Sequence, residues 1–339
     1  MALACLFLCC VTFSLSLLIS DTMMISLSPL RPLLSAAVFL LFNSTLIVPV
    51  QAQQAATSIA QSTPAPMPVP TPALWKISDT DSEIWIFGTI HLLPPELEWR
   101  SPLVQQAFAA ADSLYIEAPV GDATPESMQP LIRRYGFNHS GSPFADDLSP
   151  TARTRYEEVL QFLNLPPETI DNFAPFRPWL AGITLVTIQM QQRGYDPEAG
   201  VDRTLWQEAK NRGLKLGYFE TLEQQMAFFG TLPPAEELAM FEELLDWILE
   251  EPAMVDDMID AWKTGDIATL SQLLNDSFGE DERTKATLLY DRNRDWADQI
   301  KKLLAGSGKS FIAVGAGHLG GEKSLQWYLN ELGIDAVRQ

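Results

Sequence analysis

The stretch Ile84-Trp85-Ile86-Phe87-Gly88-Thr89-Ile90-His91 decides the fold of this chain and supplies its first candidate site residue. Its first four residues are β-branched or aromatic, which is typical of a strand buried on both faces. The glycine that follows lets the chain turn sharply where it leaves the sheet, because glycine has no Cβ. We therefore expect His91 at the carboxyl end of a buried strand.

A second stretch repeats this arrangement far along the chain. Phe311-Ile312-Ala313-Val314 runs directly into Gly315-Ala316-Gly317-His318, again a buried strand followed by Gly-x-x-His. The whole chain has three histidines, so two of them in the same local context are informative. The third, His139, lies in the turn-like run Asn138-His139-Ser140-Gly141, and we expect it at the surface.

Two further predicted strands end in a carboxylate. Leu114–Ile116 is followed by Glu117, and Leu216–Phe219 is followed by Glu220. In open α/β sheets, ligands bind beyond the carboxyl ends of the strands. The sequence therefore predicts that two histidines and two glutamates meet at one edge of a sheet.

Two imidazoles with one or two carboxylates are the ligands of a catalytic Zn, Mn or Co site that keeps a position for water. A second glutamate could then serve as general base. Cysteine is excluded as a ligand of this site, because the chain's three cysteines, Cys5, Cys9 and Cys10, all lie in its first apolar run, far before these strands. The alternative is that each histidine is a hydrogen-bonded structural residue and that the two glutamates cap helices or form salt bridges.

Strands alternate with helical segments along the rest of the chain. A hairpin is predicted from 74–77 and 83–87, helices after Ser101, Ser149 and Gly200, and a helix over 281–304 before the strand at 310–314. The last elements are a helix over 322–332 and a strand over 334–337. This order predicts an α/β fold: a mixed sheet with flanking helices and a helix-rich insert at about 223–280. Tryptophans on the helical stretches are expected in the core, namely Trp179, Trp206, Trp262 and Trp296.

Charge limits the class of partner. The 339 residues carry 23 Lys and Arg against 43 Asp and Glu, a formal net charge of −20. Such a chain is repelled by nucleic acid and by anionic membrane surfaces. Its paired acids in the insert, such as Glu236-Glu237, are expected on solvated helix faces.

The N-terminus is interpreted as an export signal. Arg31 precedes the apolar run 33–50, and Val50-Gln51-Ala52 resembles a small-residue cleavage site. Residues 1–52 are thus a signal peptide or an N-terminal membrane segment, with the first 22 or so a possible start-site artefact. Residues 53–73 form a Pro/Ala-rich linker, and the functional body spans 74–339.

Several motifs in order across this body resemble one known family. They are Trp75-Lys76, GTIHLLP (88–94), YIEAP (115–119), GVDRTLWQEAKNRGLKLGYFETLEQQ (200–225), WKTGD (262–266), DRNRDWADQI (291–300) and FIAVGAGHLGGEKSL (311–325). Together they resemble the TraB/GumN family (TraB/PrgY/GumN), which is related to the Tiki proteases that cleave Wnt proteins. The resemblance implies the fold shared by Tiki, TraB and EreA/ChaN-like proteins.

The resemblance also implies roles for individual residues. The two GxxH motifs of the family fall on His91 and His318, and its glutamates fall on Glu117 and Glu220. Its Arg-Asn pair falls on Arg292 and Asn293. His91, Glu117 and His318 would then hold a divalent metal (Mn, Co or Zn), with Glu220 as base or fourth ligand. Arg292 and Asn293 would orient the substrate or stabilise an oxyanion.

The sequence thus predicts an exported, metal-dependent hydrolase of the periplasm or cell envelope, most simply a peptidase acting on a peptide or protein. It contacts a membrane only through its N-terminal segment and does not bind nucleic acid. The alternative is a non-catalytic periplasmic binding or envelope-assembly protein on the same fold. The oligomeric state is left open.

Overall fold

A computed structural model describes residues 70–251, 253–278 and 282–339. The predicted signal or membrane segment over 1–52, and the linker as far as residue 69, lie outside the described residues. The last residues before the body already contact it. The backbone N–H of Thr71 donates to the carbonyl of Lys263 at 2.8 Å, and Ala73 is buried in the core.

Six strands form one mixed sheet, which confirms the predicted α/β class. They are β1 (Leu74–Ser78), β2 (Ser82–Thr89), β3 (Ser113–Ile116), β4 (Lys215–Tyr218), β5 (Gly308–Gly315) and β6 (Val337–Arg338). Their order across the sheet is β4-β3-β5-β2-β1-β6. The four strands β4, β3, β5 and β2 are parallel, whereas β1 runs antiparallel to both of its neighbours. The two stretches predicted as buried strands, now β2 and β5, lie side by side in the interior.

Helices flank the sheet and make up the insert. They are α1 (Pro102–Ala110), α2 (Pro125–Tyr135), α3 (Pro150–Phe162), α4 (Thr169–Asn172), α5 (Pro178–Gln192), α6 (Val201–Arg212), α7 (Leu222–Gly230), α8 (Pro234–Glu250), α9 (Met254–Thr264), α10 (Ile267–Phe278), α11 (Glu282–Lys285), α12 (Asp291–Leu304) and α13 (Leu325–Glu331). Of these, α7 to α10 form the predicted helix-rich insert, and α8 packs against α3 and α5. No helix in the described ranges is both long and apolar enough to span a bilayer.

The strand register brings the predicted site residues to one edge of the sheet. Thr89 at the end of β2 is paired with Gly315 at the end of β5, and Ile116 at the end of β3 is paired with Tyr218 at the end of β4. All four strands are parallel, so their carboxyl ends lie at the same edge. The segments that follow them carry His91, His318, Glu117 and Glu220.

Three boundaries differ from the expectation. The helix predicted over 281–304 is interrupted by a π-helical turn at Ala286–Tyr290, where the N–H of Asp291 donates to the carbonyl of Ala286. The final helix begins later, at Leu325, because the hydroxyl of Ser324 caps it. The final strand is also shorter than predicted, since the N–H of Ile334 closes the end of α13 instead of pairing in the sheet.

The expected core tryptophans are all buried. One expectation about the acidic pairs is wrong, because Glu237 is not solvated. It is 2% exposed and forms an ion pair with Arg177, whose Nη2 lies 2.7 Å from the Glu237 carboxylate. A pair of adjacent acids on a helix does not reveal which of the two faces the neighbouring element.

Candidate active site

Four of the six predicted site residues form one buried, charged cluster at the carboxyl edge of the sheet. The exposed fractions are 5% for Glu117, 6% for Glu220, 3% for Arg292 and 0% for His318. Three elements supply the carboxylates and the guanidinium: the ends of β3 and β4, and the first turn of α12. The cluster is enclosed by protein and is not an open cleft.

Arg292 lies at the centre of this cluster and is the counter-ion of both carboxylates. Its Nε and Nη2 donate to Glu220 at 2.7 and 3.0 Å, and Nη2 also donates to Glu117 at 2.6 Å. Its Nη1 donates to the carbonyl of Leu288, in the π-helical turn, at 3.1 Å. The guanidinium lies 4.8 Å from the ring of Trp296. A buried guanidinium with this many acceptors is held in one orientation.

His318 has a defined tautomer, which follows from a chain of hydrogen bonds. The Nδ2 of Asn293 donates to the carbonyl of Lys323 at 2.9 Å, which turns the Asn293 Oδ1 toward His318. That oxygen lies 2.7 Å from Nδ1 of His318. Because the amide oxygen can only accept, Nδ1 carries the hydrogen and Nε2 carries the lone pair. Nε2 lies 3.2 Å from Nη1 of Arg292, which is a donor.

Electrostatics support a neutral imidazole at this position. Burial lowers the pKa of His318 to about 3, and the positive charge of Arg292 acts in the same direction. A buried imidazole beside a guanidinium gains little from a second positive charge. His318 is therefore a neutral nitrogen donor near neutral pH.

The pKa values of the two glutamates are shifted in opposite directions. Burial alone would raise the pKa of Glu117, but Arg292 and a hydrogen bond from the N–H of Gly315 lower it to about 2. Burial raises the pKa of Glu220, and the nearby charge of Glu117 adds to this effect, against the opposing influence of Arg292. Two carboxylates with separated pKa values are characteristic of catalytic pairs.

Glu220 accepts hydrogen bonds with both of its carboxylate oxygens. Its Oε1 accepts from Nε of Arg292 and, at 3.0 Å, from Nε1 of Trp296. Its Oε2 accepts from Nη2 of Arg292 and, at 3.2 Å, from Nε2 of Gln225. Four donors use the four acceptor sites of a carboxylate. For Glu220 to take up a proton or an ion, one of these donors has to leave.

His91 lies beside this cluster with its side chain 12% exposed. Its Nδ1 is 2.5 Å from Oδ1 of Asp202, in the first turn of α6. This ion-pair contact lacks the alignment of a hydrogen bond, but it brings the Asp202 carboxylate to the Nδ1 side of the ring, which favours the tautomer of a neutral His91 with its hydrogen on Nδ1. His91 is close enough to act electrostatically on both Glu117 and His318.

Comparison with known proteins gives the family. The model of the TraB/PrgY/gumN family matches residues 73–338. The chain belongs to the TraB/PrgY/gumN family. This confirms the resemblance carried by the motifs, and the match covers the body with all six predicted site residues.

Two relatives of this family member come from distant bacteria. The uncharacterized protein YbaP of Escherichia coli (strain K12) is 24% identical over 249 residues, which cover 71% of this chain and 85% of YbaP. An uncharacterized protein of Treponema pallidum (strain Nichols) is 21% identical over 264 residues, covering 74% of this chain and 78% of that protein. No solved structure matches the chain.

The candidate ligands of this TraB-family protein are residue types that bind divalent metals. His318 directs Nδ1 to an oxygen acceptor and keeps the lone pair on Nε2, as metal-binding histidines do, and Nδ1 of His91 lies against the carboxylate of Asp202. Glu117 is ionised. Within the described part of the chain, no three His, Cys, Asp or Glu side chains already form a group that could hold an ion as they stand. Arg292 faces Nε2 of His318, so ligation by His318 requires Nη1 of Arg292 to move away.

Sequence reasoning missed three residues that organise this TraB-family site. Asp202 contacts His91, Gln225 donates to both glutamates, and the carbonyl of Lys323 orients Asn293. An acid in the first turn of a helix is common because it faces the positive end of the helix dipole, so Asp202 did not stand out. The only available signal was its position directly after Gly200-Val201, at the start of a motif shared with the family.

Proposed function

We propose that this TraB-family protein is an exported, metal-dependent hydrolase that acts on a peptide or protein. The observation that carries the proposal is the matched state of the two histidines. Each follows a parallel strand at the same edge of the sheet, and each has its Nδ1 close to a side-chain oxygen: 2.7 Å from Oδ1 of Asn293 for His318, and 2.5 Å from Oδ1 of Asp202 for His91.

The proposed ligands are His91, Glu117 and His318, with Mn, Co or Zn as the ion. Such an ion, when bound, lowers the pKa of a water molecule and polarises a substrate carbonyl. Arg292 and Asn293 act by holding other groups: Arg292 neutralises Glu117 and Glu220, and Asn293 fixes the tautomer of His318. Their predicted contact with substrate requires them to become accessible, since both are buried.

Glu220 is the proposed general base. Burial raises its pKa, and a base works best when its pKa lies near the working pH. The change that would free it is loss of the contact with Gln225, the longest of the four that it accepts. Chemistry at Glu220 is thus coupled to a movement of α7, the helix that carries Gln225.

The test is titration of the purified full-length chain with Mn, Co and Zn by calorimetry. We expect one ion per chain, and we expect the double variant His91→Ala, His318→Ala to lose it. His139→Ala is the matched control, because His139 lies in an exposed loop and its ring forms a hydrogen bond with the backbone carbonyl of Arg133. Binding by wild type that does not exceed that of the double variant would overturn the proposal.

The structure also offers support for the non-catalytic alternative. His318 is fully buried, and Arg292 pairs with both carboxylates without any added ion. Such a cluster can serve as a structural ion network in a binding or envelope-assembly protein. The metal-loaded protein should cleave members of a broad peptide library if it is a hydrolase. If the protein cleaves none of these peptides, and its metal-free form captures a partner from the cell envelope, it is a binding protein.

Export is proposed from the N-terminal sequence alone. Cell fractionation followed by mass spectrometry of the mature N-terminus tests it. Recovery from the envelope fraction with an N-terminus near residue 53 supports a cleaved signal peptide, and an intact chain in the membrane fraction supports an anchor. Recovery from the cytoplasm would overturn both.

A further inference from the structure

The start of α6 is attached to the segment that carries His91. Val201 donates its backbone N–H to the carbonyl of Ile90 at 2.9 Å. Just before the helix, Asp196 forms a two-way backbone bridge with Leu93, its N–H donating at 3.0 Å. The segment that precedes α6 therefore pairs with the residues on both sides of His91.

Gly200 makes this close approach possible. A Cβ on Gly200 would lie 2.3 Å from the carbonyl oxygen of His91, which is closer than any real Cβ contact. Any other residue at this position would move the helix away from His91. The short distance between the start of α6 and His91 thus depends on Gly200. Asp202 follows two residues later, and its side chain reaches His91.

Asp202 stands in the first turn of α6. Its side chain is 13% exposed, so the contact with His91 is largely screened from water. The neighbouring cation, Arg203, is directed elsewhere, to Glu198 and to the carbonyl of Gly121.

From these contacts we infer that Asp202 is a positioning residue: it holds Nδ1–H of His91 and so presents Nε2 as the donor nitrogen of the site. The inference rests on the proposed function for the use of that nitrogen, but the tautomer itself is a property of the metal-free chain. Carboxylates that hold the second nitrogen of a metal-binding histidine contribute about 10–100-fold to metal affinity.

The first experiment measures the tautomer directly. The chain has only three histidines, so its imidazole ¹⁵N spectrum contains three ring systems, which His139→Gln and His318→Gln assign by difference. At about pH 8, above the ordinary pKa of histidine, we expect His91 of the metal-free wild type to carry its hydrogen on Nδ1. In Asp202→Ala, which removes the acceptor, the hydrogen should shift toward Nε2, whereas in Asp202→Asn, whose amide oxygen can still accept, it should stay on Nδ1. Unchanged His91 signals in Asp202→Ala would overturn the inference.

The second experiment measures Mn, Co and Zn affinity by calorimetry. Asp202→Ala should weaken binding about 10–100-fold, while Glu198→Gln, the matched control on a neighbouring exposed acid, should leave it unchanged. Gly200→Ala should reproduce the loss without altering the carboxylate. If Asp202→Ala fails to fold, Asp202→Leu, which is close to aspartate in size and has no acceptor, makes the same test of the contact with His91.

The two proposals fail in different ways. A wild type that binds no metal, but whose His91 changes tautomer in Asp202→Ala, overturns the hydrolase and supports the role of Asp202. A wild type that binds metal with the same affinity as Asp202→Ala supports the metal site and overturns the role of Asp202.

Discussion

Among single residues, Arg292 is the one on which the buried cluster depends. It is the shared partner of Glu117 and Glu220, and it also contacts His318. Two carboxylates at this depth stay ionised only if a cation compensates them, because the protein interior solvates charge poorly. The arginine thus makes it possible to bury both glutamates beside a neutral histidine.

Replacement of Arg292 should be severely destabilising. Arg292→Met leaves two buried carboxylates without a counter-ion, and we expect the free energy of unfolding to fall by about 3–5 kcal/mol. Urea unfolding measures it. Arg294→Met is the control on the same helix, since its ion pair with Asp291 is exposed and should contribute less than about 1 kcal/mol. A loss at Arg292 no larger than that at Arg294 would contradict the assignment.

Acid should destabilise the metal-free protein through His318. Its pKa is about 3 in the folded state against an ordinary value of 6.5, so between these values the unfolded chain binds a proton that the folded chain does not. Stability therefore falls as the pH drops below about 6.5, by up to about 1.4 kcal/mol per pH unit. Glu117, whose pKa is lowered in the folded state, also makes the stability fall as the pH drops below 4.5. Glu220, whose pKa is raised, has the opposite effect on stability.

The measurement is urea unfolding between about pH 7 and pH 5 with a chelator present, in the range where an ordinary histidine titrates. In His318→Gln the slope should become shallower, whereas in His139→Gln it should match that of the wild type. Equal slopes in wild type and His318→Gln would show that this histidine is protonated in the fold.

At the level of secondary-structure elements, a largely buried ion pair between Arg177 and Glu237 joins the insert to the rest of the body. Arg177 precedes α5, and its Nη2 contacts Glu237 in α8 at 2.7 Å. The same guanidinium donates to the carbonyl of Gly230, at the end of α7. Glu237 also receives the N–H of Trp179 at 3.4 Å. Three helices are thus fixed to one another by a single arginine and a single glutamate.

The contact between Arg177 and Glu237 predicts that replacing Glu237 and replacing its neighbour Glu236 will change stability by different amounts. Glu237→Ala removes the partner of a largely buried guanidinium, and we expect a loss of about 3–5 kcal/mol in the free energy of unfolding. Glu236→Ala removes only a contact with the exposed Arg283 and should cost less than about 1 kcal/mol. Denaturant unfolding of both variants provides the comparison, and similar values for the two would mean that the Arg177 contact adds nothing.

For the molecule as a whole, the candidate ligands connect distant parts of the chain. His91, Glu117 and His318 follow β2, β3 and β5, which are neighbours in the sheet but far apart in sequence. An ion that binds the folded chain and not the unfolded one stabilises the entire cooperative unit by mass action.

Metal should therefore raise the stability of the whole protein. At a free metal concentration 100 times the dissociation constant, the gain should be about 2.7 kcal/mol. Thermal or urea unfolding with and without Mn, Co or Zn measures the gain. His139→Ala should show the same increase, and the double variant His91→Ala, His318→Ala should show none. An increase that survives in the double variant would place the ion elsewhere.

Much of the fold could be predicted from local signals. The apolar run Ile84–Phe87 before Gly88, and Phe311–Val314 before Gly315, indicated interior strands, and both are. The helix expected after Gly200 is α6. The π-helical turn before Arg292 could not be predicted, since one additional residue in a helical turn leaves no periodic signal. Asp202 was missed for a related reason, because its function depends on a neighbour from another part of the chain.

The sequence by itself determined which residues stand at strand ends, because glycine after an apolar run and a carboxylate after an apolar run are local features. It also determined the charge and the family. Only the tertiary structure decided how these residues share protons and charge. Arg292 lies between two glutamates, Asn293 contacts His318, and Asp202 contacts His91. These partners come from segments that are far apart in sequence and are brought together by the order of the strands in the sheet. Their contacts act over short distances, so they form only after the chain has folded.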